Sequence, residues 1–164
     1  MDNVYKKVGF QDKLGDAQLL VYTRINVLQW ACKFGHENCV RNAIDQFKAW
    51  RNSADPDRQN PISPNLKSVV YCTAIQMGGQ DEWDFTWERY KASNVGSEKA
   101  LLLVALGCTK ETWLLNRYLQ WSVTNNTGIR KQDAFRVYRA TSNNRIGQSL
   151  TFTFLRNKWD LLNE

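Results

Sequence analysis

The stretch Ser68–Lys110, SVVYCTAIQMGGQDEWDFTWERYKASNVGSEKALLLVALGCTK, decides the fold. It breaks at Gly78-Gly79 and again at Asn94–Ser97, and each segment between has helical periodicity. Before the first break, Val69, Val70, Cys72, Thr73 and Met77 belong to a helix opened by Ser63 or Asn65. After it, Gln80, Asp81 and Glu82 form a first turn in which acidic groups favour the helix macrodipole. Trp83, Trp87 and Tyr90 follow at i, i+4 and i+7, an aromatic stripe that reads as core packing rather than as a ligand-binding aromatic box. Glu98–Leu106 holds the longest apolar run, Ala100–Leu106, and Gly107 ends it.

Upstream, residues 1–15 are mixed polar and aromatic. Asp16 is a candidate N-cap for a helix reaching about Lys33, with Leu19, Leu20, Thr23, Val27, Trp30 and Ala31 as its apolar stripe and Gly35 as its stop. A second helix, Glu37–Trp50, sets Val40, Ala43, Ile44, Phe47 and Trp50 on one face. Asn52–Pro64 contains all three prolines and reads as a surface loop, the best candidate for a break between repeats. Downstream, Lys110–Trp121 carries Trp113, Leu114, Arg117, Tyr118 and Trp121, and Asn125–Gly128 is a turn. Helices over Lys131–Thr141 and Gly147–Leu162 follow, the last with Leu150, Phe154, Leu155 and Trp159. Thr151–Phe154 alternates like a strand but has no partner strand, so helix is expected. About eight helices in antiparallel pairs predict an all-α, right-handed superhelix of the HEAT or armadillo kind, in a single domain over residues 1–164.

Seven Trp, seven Phe and six Tyr in 164 residues make aromatic packing the main source of core volume. The net charge of +6 gathers toward the C-terminal end, at Arg130, Lys131, Arg136, Arg139 and Arg145. Such a cluster can attract nucleic acid, but it reads better as a solvated helix face, and nucleic acid is an unlikely partner. No signal-peptide pattern opens the chain and no apolar run is long enough to cross a bilayer, so the chain as given reads as soluble.

Cys32 and Cys39 would lie about 10.5 Å apart in one unbroken helix, beyond disulfide reach. Gly35-His36 between them allows a helix-hairpin corner that could bring them together. Cys72 and Cys108 do not have metal-finger spacing. The residues leave three states open: disulfides, reduced core thiols, or a scattered zinc set, which the lack of CxxC and the single histidine disfavour. Disulfides would imply an oxidising compartment. Asn125-Asn126-Thr127 is a possible glycosylation sequon on the expected turn.

Catalytic motifs are missing: no HExxH, no phosphate-cradling glycine loop and no GxSxG elbow. His36 reads as a polar turn residue. Asp81, Glu82, Asp84 and Glu88 read as helix-terminal, solvent-facing groups rather than a paired acid and base.

The strings VVYCTAIQMGGQDEWDFTWERY, SNVGSEKALLLVALGCTKETWLLNRYLQW and IRKQDAFRVYRATSNNRIGQSLTFTFLRNKW resemble the C-terminal helical domain of the M1 zinc aminopeptidases. They are most like the aminopeptidase N branch, and more like its insect than its vertebrate members. The resemblance extends from about Val4 to Trp159. It implies a non-catalytic helical domain that closes over a catalytic domain and walls part of a peptide chamber in an enzyme that removes N-terminal residues. It also implies bridges Cys32–Cys39 and Cys72–Cys108, an extracellular or cell-surface location, and partners that are the parent's catalytic domain and its peptides. Zinc and all catalytic residues would belong to a domain absent here, so this chain is not expected to be an enzyme alone. The family domain continues beyond Glu164, so the chain looks like a truncated domain. An apolar end near Phe154, Leu155 and Trp159 is then expected, which oligomerisation could cover. A stand-alone interaction module or receptor surface, for example for a toxin, is the alternative.

Overall fold

In the computed structural model residues 2–162 are described, Leu161 by its backbone alone, and every regular element among them is helical. The all-α expectation holds; the expectation attached to Glu164 lies outside the described residues. The chain forms two compact units, residues 1–74 and 75–164. The proline-rich loop lies inside the first unit and not at the division. The division falls within a helix.

The first unit holds α1 (Asp2–Val8), α2 (Gln18–Lys33), α3 (Glu37–Arg51) and the start of α4 (Lys67–Met77). Its core stacks aromatics: Trp50 lies edge-on to Phe47 at 5.6 Å and stacked on Tyr71 at 4.8 Å. Burying a side chain such as Phe47 contributes up to about 3 kcal/mol. The loop after α3 is fastened to this core. Trp50 Nε1 donates to the Pro56 carbonyl at 2.8 Å, and Asn60 Nδ2 donates to the Tyr71 hydroxyl at 2.6 Å.

Residues 2–8, mixed in composition, are helical; Asp2 in the first turn and Lys6 and Lys7 in the last complement the helix dipole, which favours even so short a helix. Two expectations need correction here. Asp16 is not the N-cap of α2. Ala17 is, without a side-chain bond, because the Asp16 carboxylate is taken by the Lys13 backbone N–H at 2.9 Å and by Arg24 at 2.8 Å. Finally, the apolar stripe assigned to α2 is only partly inward: Ala31 is buried, Leu20 and Val27 are half-buried, and Leu19, Thr23 and Trp30 are exposed. The face turned inward carries Arg24, Leu28, Ala31 and Cys32, while Leu19 and Trp30 are 78% and 51% exposed. Arg24 makes burial of that face possible: its Nε donates to the Val8 carbonyl at 2.9 Å and its Nη1 reaches Asp12 at 3.1 Å. A buried charge is tolerated when paired and hydrogen-bonded in this way.

The second unit contains the rest of α4, then α5 (Gln80–Ala92), α6 (Gly96–Leu106), α7 (Thr112–Val123), α8 (Ala134–Ser142), α9 (Gly147–Asn157) and α10 (Trp159–Leu162). The helix expected from Lys131 starts as a 3-10 turn, Lys131–Asp133. The helix expected over 147–162 is interrupted at Lys158, whose φ of −111° and ψ of 14° leave the α region. Thr151 of the alternating run is buried in α9, where its hydroxyl donates to the Gly147 carbonyl and meets the Thr141 hydroxyl, each at 2.8 Å. Two glycines let α8 pack close. A Cβ on Gly107 would stand 2.7 Å from Ala140 Cβ, and one on Gly147 would overlap the Thr141 carbonyl oxygen.

Candidate functional site

The aromatic stripe of α5 meets α7 in the second unit. Trp83, Trp87 and Tyr90 are buried, as expected. Trp87 and Trp121 have ring centroids 4.8 Å apart, and Trp83 and Trp121 5.7 Å. Three of the buried rings hold backbone by their polar edges. Trp83 Nε1 donates to the Leu106 carbonyl at 3.0 Å, Tyr118 to Leu103 at 2.8 Å, and Tyr90 to Gly128 at 3.0 Å. Burial, with smaller contributions from Tyr90 and Asp133, pushes the Tyr118 phenol well above its usual range.

Over this stripe lies Arg117. Its guanidinium carbon sits 4.6 Å from the Trp83 ring, 4.8 Å from Trp121 and 5.1 Å from Trp113, and Nη2 donates to Asp84 at 2.8 Å. A cation above three tryptophan faces is attracted to each ring quadrupole. The face that a ligand-binding box would have needed is filled by the chain's own arginine, and the stripe is a packing device. The spacing held the signal: Arg117 is four residues from both Trp113 and Trp121, so all three share one side of α7.

Of the acidic groups singled out in the sequence, Glu82 accepts from the Gly79 backbone N–H at 2.9 Å and caps α5, Asp84 holds Arg117, and Glu88 pairs with Lys91 at 2.8 Å. None of these arrangements is an acid and base facing a shared space. In the basic cluster, Arg130 and Arg136 both reach the buried Asp133 carboxylate, at 2.7 and 3.5 Å. That use leaves the cluster less charge to offer a polyanion.

The corner between α2 and α3 forms as the glycine signal requires. Gly35 has φ of +78°, its N–H bonds the Cys32 carbonyl at 3.0 Å, and the His36 N–H bonds Ala31 at 2.9 Å, a Schellman closure. The turn brings Cys32 and Cys39 to a Cα separation of 5.1 Å, and they are bridged. Cys72 and Cys108 are disulfide-bonded as well, and among the described residues no cysteine is free. His36 does more than turn the chain. Its Nδ1 accepts the Cys39 N–H at 3.3 Å as the N-cap of α3, its Nε2 lies 2.9 Å from Asp2, and the Tyr5 ring lies 4.2 Å from its own.

A zinc ion does not fit these residues. The four sulfurs are committed to bridges, the one imidazole is used at both nitrogens, and no cluster of three or more His, Cys, Asp or Glu among the described residues could hold a metal. No described helix is long and apolar enough to cross a membrane. Asn125 lies exposed on the turn after α7.

The family model of the ERAP1-like C-terminal domain matches residues 1–164. Aminopeptidase N of Rattus norvegicus is 41% identical over 143 residues, 87% of this chain and 14% of that protein. Aminopeptidase Ey of Gallus gallus is 41% identical over 86% of this chain and 14% of its own. The thyrotropin-releasing hormone-degrading ectoenzyme of Homo sapiens is 35% identical over 85% of this chain and 13% of its own. The chain therefore spans about a seventh of the length of the curated relatives it matches.

Proposed function

The chain belongs to the ERAP1-like C-terminal domain family, and from that premise we propose that it is the non-catalytic helical domain of an aminopeptidase N-like zinc metallopeptidase. In that role it closes over a catalytic domain and walls part of the chamber where N-terminal residues are removed from peptides. Zinc and the reacting groups lie in the catalytic domain, and this chain supplies shape. The observation carrying the proposal is the match to aminopeptidase N, which runs through most of this chain while occupying a small fraction of the relative. The packing supports it, since buried polar groups such as Arg24, Trp83 and Tyr118 are spent on backbone carbonyls and rigidify the helices. The bridges support an extracellular or cell-surface setting. By the family pattern, the second bridge is Cys72–Cys108.

The test is complementation. An aminopeptidase N-type enzyme lacking its C-terminal helical domain should bind this chain and regain peptide turnover. Neither binding nor recovery, with a folded and bridged chain, overturns the proposal.

A second function, protein capture on an exposed surface, is favoured by one feature. The outer face of α2 presents Leu19, Tyr22 and Trp30, with Phe34 just beyond, and Trp30 and Phe34 stack at 5.6 Å. Binding of a protein ligand such as a bacterial toxin, lost when Trp30 and Phe34 become serine, would establish it; binding unaffected by those changes would place the surface elsewhere. Self-association through exposed Phe152 and Trp159 is the other form of this idea. A monomer at high concentration in sedimentation removes it.

A further inference from the structure

The only N-x-S/T sequon in the sequence is Asn125-Asn126-Thr127, and its setting makes it an acceptor as well as a motif. Thr124, the C-cap of α7, has φ of −95° and ψ of 131°, so the chain leaves the helix there and Asn125 begins an exposed turn. Asn126 is left-handed at φ of 64°, a conformation asparagine tolerates better than most side chains. The turn is pinned from both sides. Thr127 Oγ1 donates to the Trp121 carbonyl at 2.8 Å, and the Tyr90 hydroxyl donates to Gly128 at 3.0 Å. The backbone around the acceptor is thus held to the aromatic cluster while the Asn125 side chain stays exposed, so a bulky polar group at Asn125 displaces no packing.

A sequon matters only in the secretory route, and an independent observation favours that route. Cys32 and Cys39 are bridged across the α2–α3 corner, and Cys72 and Cys108 are bonded too. Disulfides of this kind form and persist in oxidising compartments, and protein N-glycosylation belongs to the same route.

We propose that Asn125 carries an N-linked oligosaccharide, donated by a lipid-pyrophosphate-linked oligosaccharide. In the transfer, Asn125 Nδ2 forms a bond to C1 of the donor's reducing-end sugar. The bond from that C1 to the pyrophosphate oxygen breaks, its electron pair leaves with the lipid pyrophosphate, and the proton lost from Nδ2 is taken up by that released pyrophosphate. The sugar then projects from the turn between α7 and Lys131–Asp133 and shields that end of the second unit. The inference depends on the bridges and the turn, and stands whether or not the aminopeptidase role does.

The test is glycopeptide mapping of the protein secreted by eukaryotic cells, as this chain and within any longer polypeptide that carries it. Enzymatic removal of the sugar in heavy-oxygen water should leave an isotope-labelled aspartate at position 125. N125Q and Thr127→Ala should abolish the glycan. Thr127→Ser, which keeps both the sequon and the hydroxyl bonded to Trp121, should retain it. An unmodified Asn125 in secreted protein whose Cys32–Cys39 bridge has formed overturns the proposal. Free thiols at both Cys32 and Cys39 in protein taken from its own cells overturn it as well.

Discussion

Gly107→Ala is expected to destabilise the second unit although the backbone there suits any residue. Gly107 has φ of −74° and ψ of −7°, so its need for glycine comes from proximity and not from backbone freedom. An added Cβ would meet Ala140 Cβ at 2.7 Å and the Ala140 carbonyl carbon and oxygen at 2.9 and 3.1 Å. Carbon atoms in ordinary contact are about 3.5–4.0 Å apart, so α8 must retreat by roughly an ångström. Retreat is resisted, because Asn144 Nδ2 ties the end of α8 to the Gly107 and Thr109 carbonyls at 2.9 and 2.6 Å. Overpacking against backbone costs about 2–3 kcal/mol, and the loss of unfolded-chain freedom returns about 0.4–1 kcal/mol. A net loss of about 2 kcal/mol should lower the Tm by roughly 4–8 °C. The assay is thermal and urea denaturation followed by circular dichroism and tryptophan emission, with Gly96→Ala as control. Nothing lies within 4 Å of a Cβ at Gly96, so that change should be neutral or stabilising. Adding Ala140→Gly to Gly107→Ala should restore part of the loss and not all, since the Ala140 carbonyl still crowds the site. Gly107→Ala as stable as Gly96→Ala would refute the close approach of α6 and α8.

Replacing Cys32 and Cys39 by alanine opens a short loop and should cost about 2.5 kcal/mol by chain entropy, read as a lower urea midpoint; reductant, which also opens the bonds at Cys72 and Cys108, should lower the parent chain's midpoint further. Tyr118→Phe should cost about 1 kcal/mol at neutral pH through the lost bond to Leu103. It should also blunt alkaline unfolding. The folded phenol titrates well above the unfolded one, so its stabilising share is complete below about pH 10 and fades as pH rises from there toward the folded value. Ultraviolet tyrosinate titration beside a denaturation series checks both. Asp16 runs the other way: the Lys13 backbone N–H, and after it Arg24, hold its carboxyl below the usual carboxylate range. Its contribution is present above about pH 4 and disappears as pH falls through the lower folded value, a dependence that Asp16→Asn should remove. Arg117→Met should lose about 1–2 kcal/mol of cation–π and ion-pair stabilisation and change tryptophan emission, with Arg117→Lys between the two.

Helices whose buried face is apolar were legible in the sequence. Trp83, Trp87 and Tyr90 on α5, and Phe47 and Trp50 on α3, follow the helical repeat and are buried. Signals carried by single special residues were legible too: Gly35 ended α2 and folded the corner that brings Cys32 to Cys39. On α2 the same reasoning failed, because the inward face is anchored by a charged residue. Periodicity counts apolar side chains and assigns Arg24 outward, whereas Val8, Asp12 and Asp16 satisfy it inside. Those partners lie eight or more residues away in a segment without strong periodicity, so no local pattern could reveal them. The role of Asp16 fell with the same pairing. The role of His36 as N-cap and the closeness demanded by Gly107 are likewise consequences of where other helices lie, and only three-dimensional packing exposes them.

The most direct test of a helical domain whose chemistry resides in another domain is a turnover assay of this chain alone, folded and bridged, with added zinc and an aminoacyl chromogenic substrate. The expected result is hydrolysis no faster than in buffer with zinc. Zinc-dependent release of the chromophore that scales with chain concentration, and survives further purification, would contradict it.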